Sequence, residues 1–233
     1  MRNQVRVKYN RLKSNLSIDE MFLLIKSHPY SQSQGHGYSN TSLKNDKILS
    51  TYTEEKININ FSVDPYGNEN SQELLTYESF EFSISKITNK LYLLCIINPP
   101  KSLRPLTDKL SSISKYKIGF GLVDIQIDEY IKVLHSNYHL NLINIKKVKI
   151  SSLVINDNAK ASIEITSKKN AISDIESIIN NRGYSLDKVK ASGFLLEEKC
   201  EFELSRSGSL CTAENLIPFF DTTISEHLLK KEI

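Results

Sequence analysis

The chain has 233 residues, 39% hydrophobic and 24% charged, a globular composition with room for one large domain or two small ones. No apolar run reaches the roughly 18 to 20 residues of a membrane-spanning helix, and the longest, 91–97, has the length of a buried strand. Cys95, Cys200 and Cys211 are widely spaced and contain no C-x-x-C pair, which argues against a disulfide framework or a Cys-based zinc site. Reduced thiols and an N-terminus without a signal-like apolar stretch point to the cytoplasm.

Net charge is +3, from 30 basic and 27 acidic side chains. Arg2, Arg6, Lys8, Arg11 and Lys13 precede the first acid, Asp19, and setting those five aside leaves 25 basic against 27 acidic residues. Any nucleic-acid contact is therefore expected from a basic N-terminal arm, 1–16, or from a local patch. Heavy use of Ile, Lys, Asn and Ser matches AT-rich codons and a bacterial or mobile-element gene, with bacterial defence as one fitting context.

In chain order, Ser17-Ile18-Asp19-Glu20 is a capping box that opens a helix with Met21, Leu24 and Ile25 inward, ended by Pro29. The polar, Gly-containing stretch 30–46 reads as a long loop. Ile57, Ile59, Phe61 and Val63 alternate with polar residues and predict a half-buried strand, followed by a turn at 64–68. Phe80, Phe82 and Ile84 form another strand, which turns at 88–90 into a central strand, 91–97. A helix is predicted over 103–112, capped by Ser102, then a strand over 118–125 and a helix over 128–137.

A second block shows strands at 148–150 and 161–165, a helix over 171–181 closed by Gly183, two strands within 189–204, and a last helical region to 231. Thr212 is its expected cap, and Pro218 sits near the start of its main segment. The pattern predicts an α+β fold with mixed or antiparallel sheets and about five helices. It divides into lobes 17–140 and 141–233, or forms one continuous domain.

The run ending Asn98-Pro99-Pro100 matches the place where amino-methyltransferases hold an extruded base. Lys101 stands where a stacking aromatic is needed, and Gly119 and Gly121 lie in a strand instead of opening a helix. A Mg²⁺-dependent nuclease would use an Asp and an E-x-K pair, which Asp187, Glu197 and Lys199 supply in order; Mg²⁺ enters only under that reading. Asp46 with Glu54-Glu55-Lys56 matches the same pattern, which shows how little it discriminates.

His135 and His139 have a zinc-protease spacing without its glutamate, and Asn137 predicts a helix end before His139. His36, between two glycines, places a histidine in a loop that could close over a small ligand, so a ligand sensor acting through 31–42 is a third reading. No Walker A, G-x-S-x-G or G-x-G-x-x-G motif is present.

Two features point to binding. Leu216, Phe219, Phe220, Ile224 and Leu228 make the C-terminal segment apolar all round, suited either to the chain's own core or to a protein partner. Lys146, Lys147 and Lys149, then Lys168 and Lys169, and Lys188 and Lys190 cluster along predicted strands. Lys147 and Lys149 share a strand face, and could join the arm in one phosphate-tracking surface. The sequence thus predicts a non-catalytic subunit or adaptor of a larger cytoplasmic assembly, with a protein partner, a nucleic-acid contact through the basic residues, no membrane span and no cofactor.

Overall fold

The computed structural model describes residues 4–156, 158–179, 184–195 and 197–232. They form an α+β fold in two compact units, Lys13–Gly119 and the pair of segments Met1–Leu12 and Phe120–Ile233. The division falls between 119 and 120 instead of near 141, because residues 127–138 pack with the strands that follow them, and the N-terminal segment also joins the larger unit as a strand. Among the described residues no helix is long and apolar enough to cross a membrane.

That strand, β1 (Gln4–Ser14), replaces the expected basic arm. Val5, Val7 and Tyr9 alternate with Arg6 and Lys8, and the strand sends Val7 and Tyr9 into the core while the cations stay on the other face. Arg2 lies outside the described residues.

In Lys13–Gly119, α1 (Ile18–Lys26) has the full predicted capping box. The Glu20 amide donates to the Ser17 hydroxyl at 3.2 Å, and the Ser17 amide donates to the Glu20 carboxylate at 2.7 Å. The stretch read as a long loop is largely strand β2 (His36–Lys44). Its entry depends on Gly37, where a Cβ would lie 2.3 Å from Tyr30 Cα.

The long strands β3 (Lys47–Val63) and β4 (Glu69–Lys86) follow, then β5 (Leu91–Ile97) and α2 (Arg104–Ile113). Strands pair antiparallel in the order β2-β3-β4-β5. As the composition of 91–97 predicts, β5 is buried from Leu91 to Ile96. The cap of α2 falls at Leu103, one residue later than expected, while the Ser102 hydroxyl accepts from the Arg104 amide at 3.3 Å.

β6 (Ile118–Leu122) runs across the chain division, and in the other unit α3 (Ile127–Tyr138) leads into β7 (Leu140–Asn156), β8 (Ala159–Thr166), α4 (Ala171–Ile179), β9 (Leu186–Leu195), β10 (Glu198–Ser205), β11 (Ser209–Ala213) and α5 (Ile217–Glu232). The sheet order is β1-β11-β10-β9-β7-β8. One sheet face is apolar, with Val148, Val189, Phe202, Leu204 and Leu210 at 0–2% exposure, and it is the face that packs against the helices. Thr212 is a buried strand residue on β11, not a helix cap, and its hydroxyl donates to the Glu201 carbonyl at 3.2 Å. Gly183 lies outside the described residues.

The apolar C-terminal segment is spent inside the chain. Leu216, Phe220, Ile224 and Leu228 are 0–6% exposed, Phe220 packs on Phe202 at 5.3 Å between centroids, and Phe219 lies edge-on to Tyr138. The partner surface expected at these residues is therefore not displayed. Two buried hydrogen bonds fix α5: the Tyr9 hydroxyl donates to Asp221 at 2.9 Å, and the Tyr130 and Thr223 hydroxyls lie 2.5 Å apart.

Gly208 closes the β10–β11 turn at φ +79°, and a Cβ there would lie 2.1 Å from Val123 Cγ2 and 2.8 Å from the Tyr9 carbonyl oxygen. Gly208→Ala should therefore destabilise by about 2–4 kcal/mol in urea unfolding, combining a strained φ with overpacking. Ser17→Ala, which removes only a cap, should cost about 1 kcal/mol in the same assay.

Burial on α5, with Lys231 nearby, holds the His227 imidazole below its ordinary value of 6.5. The unfolded chain then binds the proton more readily, so stability should fall as pH drops below that value. His227→Gln should flatten this part of the stability profile, measured by urea unfolding at a series of pH values.

Candidate functional site

The nuclease residues are not brought together. Asp187 sits near the start of β9, where its carbonyl accepts from the Arg206 amide at 2.8 Å. Glu197 lies in the turn at the far end of the hairpin with φ 70°, and Lys199 pairs with Phe194 beside it. From Asp187 to Leu195 the strand runs roughly 26 Å, too far for one metal ion to bridge. The second match fails likewise, with Asp46 in the β2–β3 turn and Glu54 opposite His36 along β3. Among the described residues no group of three or more His, Cys, Asp and Glu could hold a metal ion.

Helix α3 stops at Tyr138 and His139 adopts left-handed backbone at φ 53°, so His135 and His139 do not share a helix face. His36 begins β2, with Nδ1 2.7 Å from the Gln34 carbonyl oxygen. Its neighbours from 37 to 42 belong to a paired strand, which removes most of the loop that a closing lid would need. Asn98-Pro99-Pro100 follows the last residue of β5 as a strand terminator, and Gly119 and Gly121 lie on β6.

The predicted cations do converge. Because the helices cover one face of the β1-to-β8 sheet, the open face collects the polar side chains, and its register can be read across the strands. One row runs Arg6, Cys211, Glu203, Lys190, Lys147, Thr166; the next runs Lys8, Ser209, Ser205, Lys188, Lys149, Glu164. Six cations and two carboxylates share about 24 Å of sheet width at about 4.8 Å per strand.

Lys147 pairs with Glu164 at 2.6 Å and Lys188 pairs with Glu203. Lys8 donates to the Ser207 carbonyl at 2.6 Å, and partial burial lowers its pKa. A register shift between Ile145 and Lys147 leaves Lys146 at the same open face, where it meets Glu201 at 3.0 Å. Arg11 and Lys13 lie further along β1, with the Arg11 guanidinium 3.5 Å from the position a Cβ on Gly121 would take.

A second surface escaped the sequence reading. β3 and β4 pair without a break from Lys47↔Ser85 to Val63↔Glu69, but β2 reaches only to Glu54 and β5 only to Phe82. Beyond those points the two strands run on alone as a ribbon of roughly 30 Å. One ribbon face carries Ile57, Ile59, Phe61 and Val63 with Leu75 and Tyr77, and all six are exposed, Phe61 at 77%. The opposite face is mostly polar, with Lys56, Asn58, Asn60, Gln72, Asn70 and Glu78. The alternation of 57–63 thus marks an amphipathic strand correctly, but no layer among the described residues covers it.

At the ribbon's base the Tyr30 hydroxyl donates to Glu55 at 2.5 Å, which raises the Tyr30 phenol to about 12, and the Glu55 amide donates to the Gly35 carbonyl at 2.7 Å. At its tip Asp64 accepts from the Tyr66 and Asn68 amides at 2.9 and 2.8 Å.

If the Tyr30 bond anchors the base, Tyr30→Phe should speed hydrogen exchange at the Glu55 amide and leave exchange in β9 and β10 unchanged, measured amide by amide. No protein-family model matches this sequence, and no curated protein does.

Proposed function

We propose that this chain is a non-catalytic subunit or adaptor of a larger assembly, working in the cytoplasm, and that it docks on its protein partner through the apolar face of the β3–β4 ribbon. The observation that carries this reading is the exposed apolar cluster of Ile57, Ile59, Phe61, Val63 and Leu75, which nothing among the described residues covers; Tyr77 at its base meets Tyr30. A two-stranded ribbon without a third strand or a covering layer is only marginally stable in water. Several hundred Å² of contiguous apolar surface is also the size at which a patch marks an interaction site. Burying about half or more of each side chain would supply on the order of 5–10 kcal/mol before the costs of association.

Charge narrows the occupant. The apolar face also presents Glu55, Glu69 and Glu73, and no lysine, arginine or histidine shares it. A second copy laid on the same face would bring these carboxylates towards their equivalents. The fitting partner is a different protein, one whose apolar patch is rimmed by basic residues. The buried thiols Cys95 and Cys200 suit a reducing compartment, and burial pushes the Cys200 thiol up to about 11, away from reactivity.

The test is a tagged, nuclease-treated purification from the native host with three chains: wild type, Phe61→Asp on the apolar face and Asn60→Asp on the polar one. A stoichiometric protein held by wild type and Asn60→Asp and lost from Phe61→Asp is the expected result, with a photo-cross-linker at position 61 joining the same protein. Wild type that sediments as a monomer and retains no partner, or a partner held equally by all three, would overturn the docking assignment. A wild-type homodimer broken by Phe61→Asp would replace the heterologous partner with a second copy.

A further inference from the structure

The open face of the β1-to-β8 sheet carries a second assignment, independent of the ribbon. Lys147 stands opposite Lys190 and Lys149 opposite Lys188 on neighbouring strands, so four ammonium groups occupy one two-by-two block. Like charges directly opposite across a strand pair are destabilising. Glu164 and Glu203 each ion-pair with one lysine of the block; among the described residues Lys149 and Lys190 make no ion pair, and the Glu164 and Glu201 carboxylates reach them only at longer range. Arg6 and Lys8 extend the same two rows on the far side of β10 and β11. A folded body whose remaining charge is slightly acidic thus gathers its cations where repulsion opposes folding, an arrangement that a polyanionic ligand relieves.

We infer that this face binds the phosphate backbone of duplex nucleic acid, with Lys149 and Lys190 as its two uncommitted phosphate contacts and Arg6, Lys8, Lys147 and Lys188 around them. The face is built of strands, so the cations are held in fixed rows, and its width of about 24 Å exceeds a single phosphate or headgroup. The two rows contain no aromatic side chain; the exposed Phe194 lies two rows away, opposite Lys199. Binders of single strands rely on stacking platforms, and backbone contact without stacking suits a duplex. Base-specific readout is not part of the assignment, since a sheet face of lysines offers only charge.

Fluorescence anisotropy with a labelled 20-base-pair DNA duplex, the matching RNA duplex, one of the single strands, and vesicles containing phosphatidylserine tests this on the full chain. Wild type should bind one or both duplexes more tightly than the single strand, with affinity falling steeply with salt. Lys149→Glu with Lys190→Glu should weaken duplex binding about tenfold or more at low salt and reduce the log–log salt slope by about 1.8. Lys149→Gln with Lys190→Gln, which adds no new charge, should weaken it in the same direction, and thermal melting checks that both variants fold.

Phe61→Asp should bind duplex like wild type, which separates failure of this assignment from failure of the ribbon reading. Absence of duplex binding by wild type at 50 mM salt, an unchanged affinity in both folded double variants, or preference for vesicles or the single strand would overturn the assignment. Discrimination between the DNA and RNA duplexes identifies the ligand within it.

Discussion

The hydrogen bond from the Tyr9 hydroxyl to Asp221, closed at 2.9 Å inside an apolar core, ties the first strand of the chain to its last helix. Much of the larger unit follows from holding those two ends in place. With Tyr9 inward, strand alternation puts Val7 inward as well and forces Arg6 and Lys8 onto the opposite face. There they fall into register with lysines that lie more than 130 residues away in sequence. The same bond commits α5 to the interior, where Phe220 meets Phe202 and Thr223 meets Tyr130, so the most apolar segment of the C-terminal half is unavailable to a partner. A buried carboxyl without such a donor would be costly, and the pair is therefore a point at which position along β1 is specified as well as stabilised.

The two proposed interaction surfaces have opposite physical characters. The open sheet face is an array of cations in which Glu164 and Glu203 each ion-pair with one lysine of the central block, while Lys149 and Lys190 feel carboxylates only at longer range; it suits a ligand that brings charge and little shape. The ribbon is an extended strand pair without a layer beneath it, whose apolar face and nearby carboxylates suit a protein surface of complementary chemistry. Each breaks a local rule of folding, one by setting like charges side by side and the other by leaving large apolar groups in water. Such departures tend to mark places kept for function.

Local chemistry made several elements legible. Ser17 and Glu20 announce a helix start through a cap that needs only neighbours within one turn, and the Asp64 turn is likewise closed by its own residues. The core character of 91–97 was legible because a run apolar on both faces has no stable place except the middle of a structure. The ribbon was only half legible. Alternation at Ile57, Ile59, Phe61 and Val63 specifies a strand with one apolar face, but says nothing about a cover. The missing signal lay across the hairpin: counting back from the turn sets Ile59 against Glu73, Phe61 against Ser71 and Val63 against Glu69, and a core face would not carry carboxylates there. The basic residues of the first strand suggest a solvated arm, but Val5, Val7 and Tyr9 between them carry the alternation of a half-buried strand.

What the sequence by itself determined is therefore what depends on short-range chemistry: the α+β class, the capped first helix, the turns, the buried central strand and the amphipathic faces. Tertiary structure alone decided which of those faces meet. It paired β1 with β11 and thereby joined two distant basic clusters, it moved Asp187 away from Glu197 and Lys199 by the length of a hairpin, and among the described residues it left the ribbon beyond the reach of β2 and β5. The reason is physical: side-chain direction is set by alternation within a strand, whereas adjacency is set by cross-strand register and by which surfaces exclude water, and both of these are properties of the whole fold.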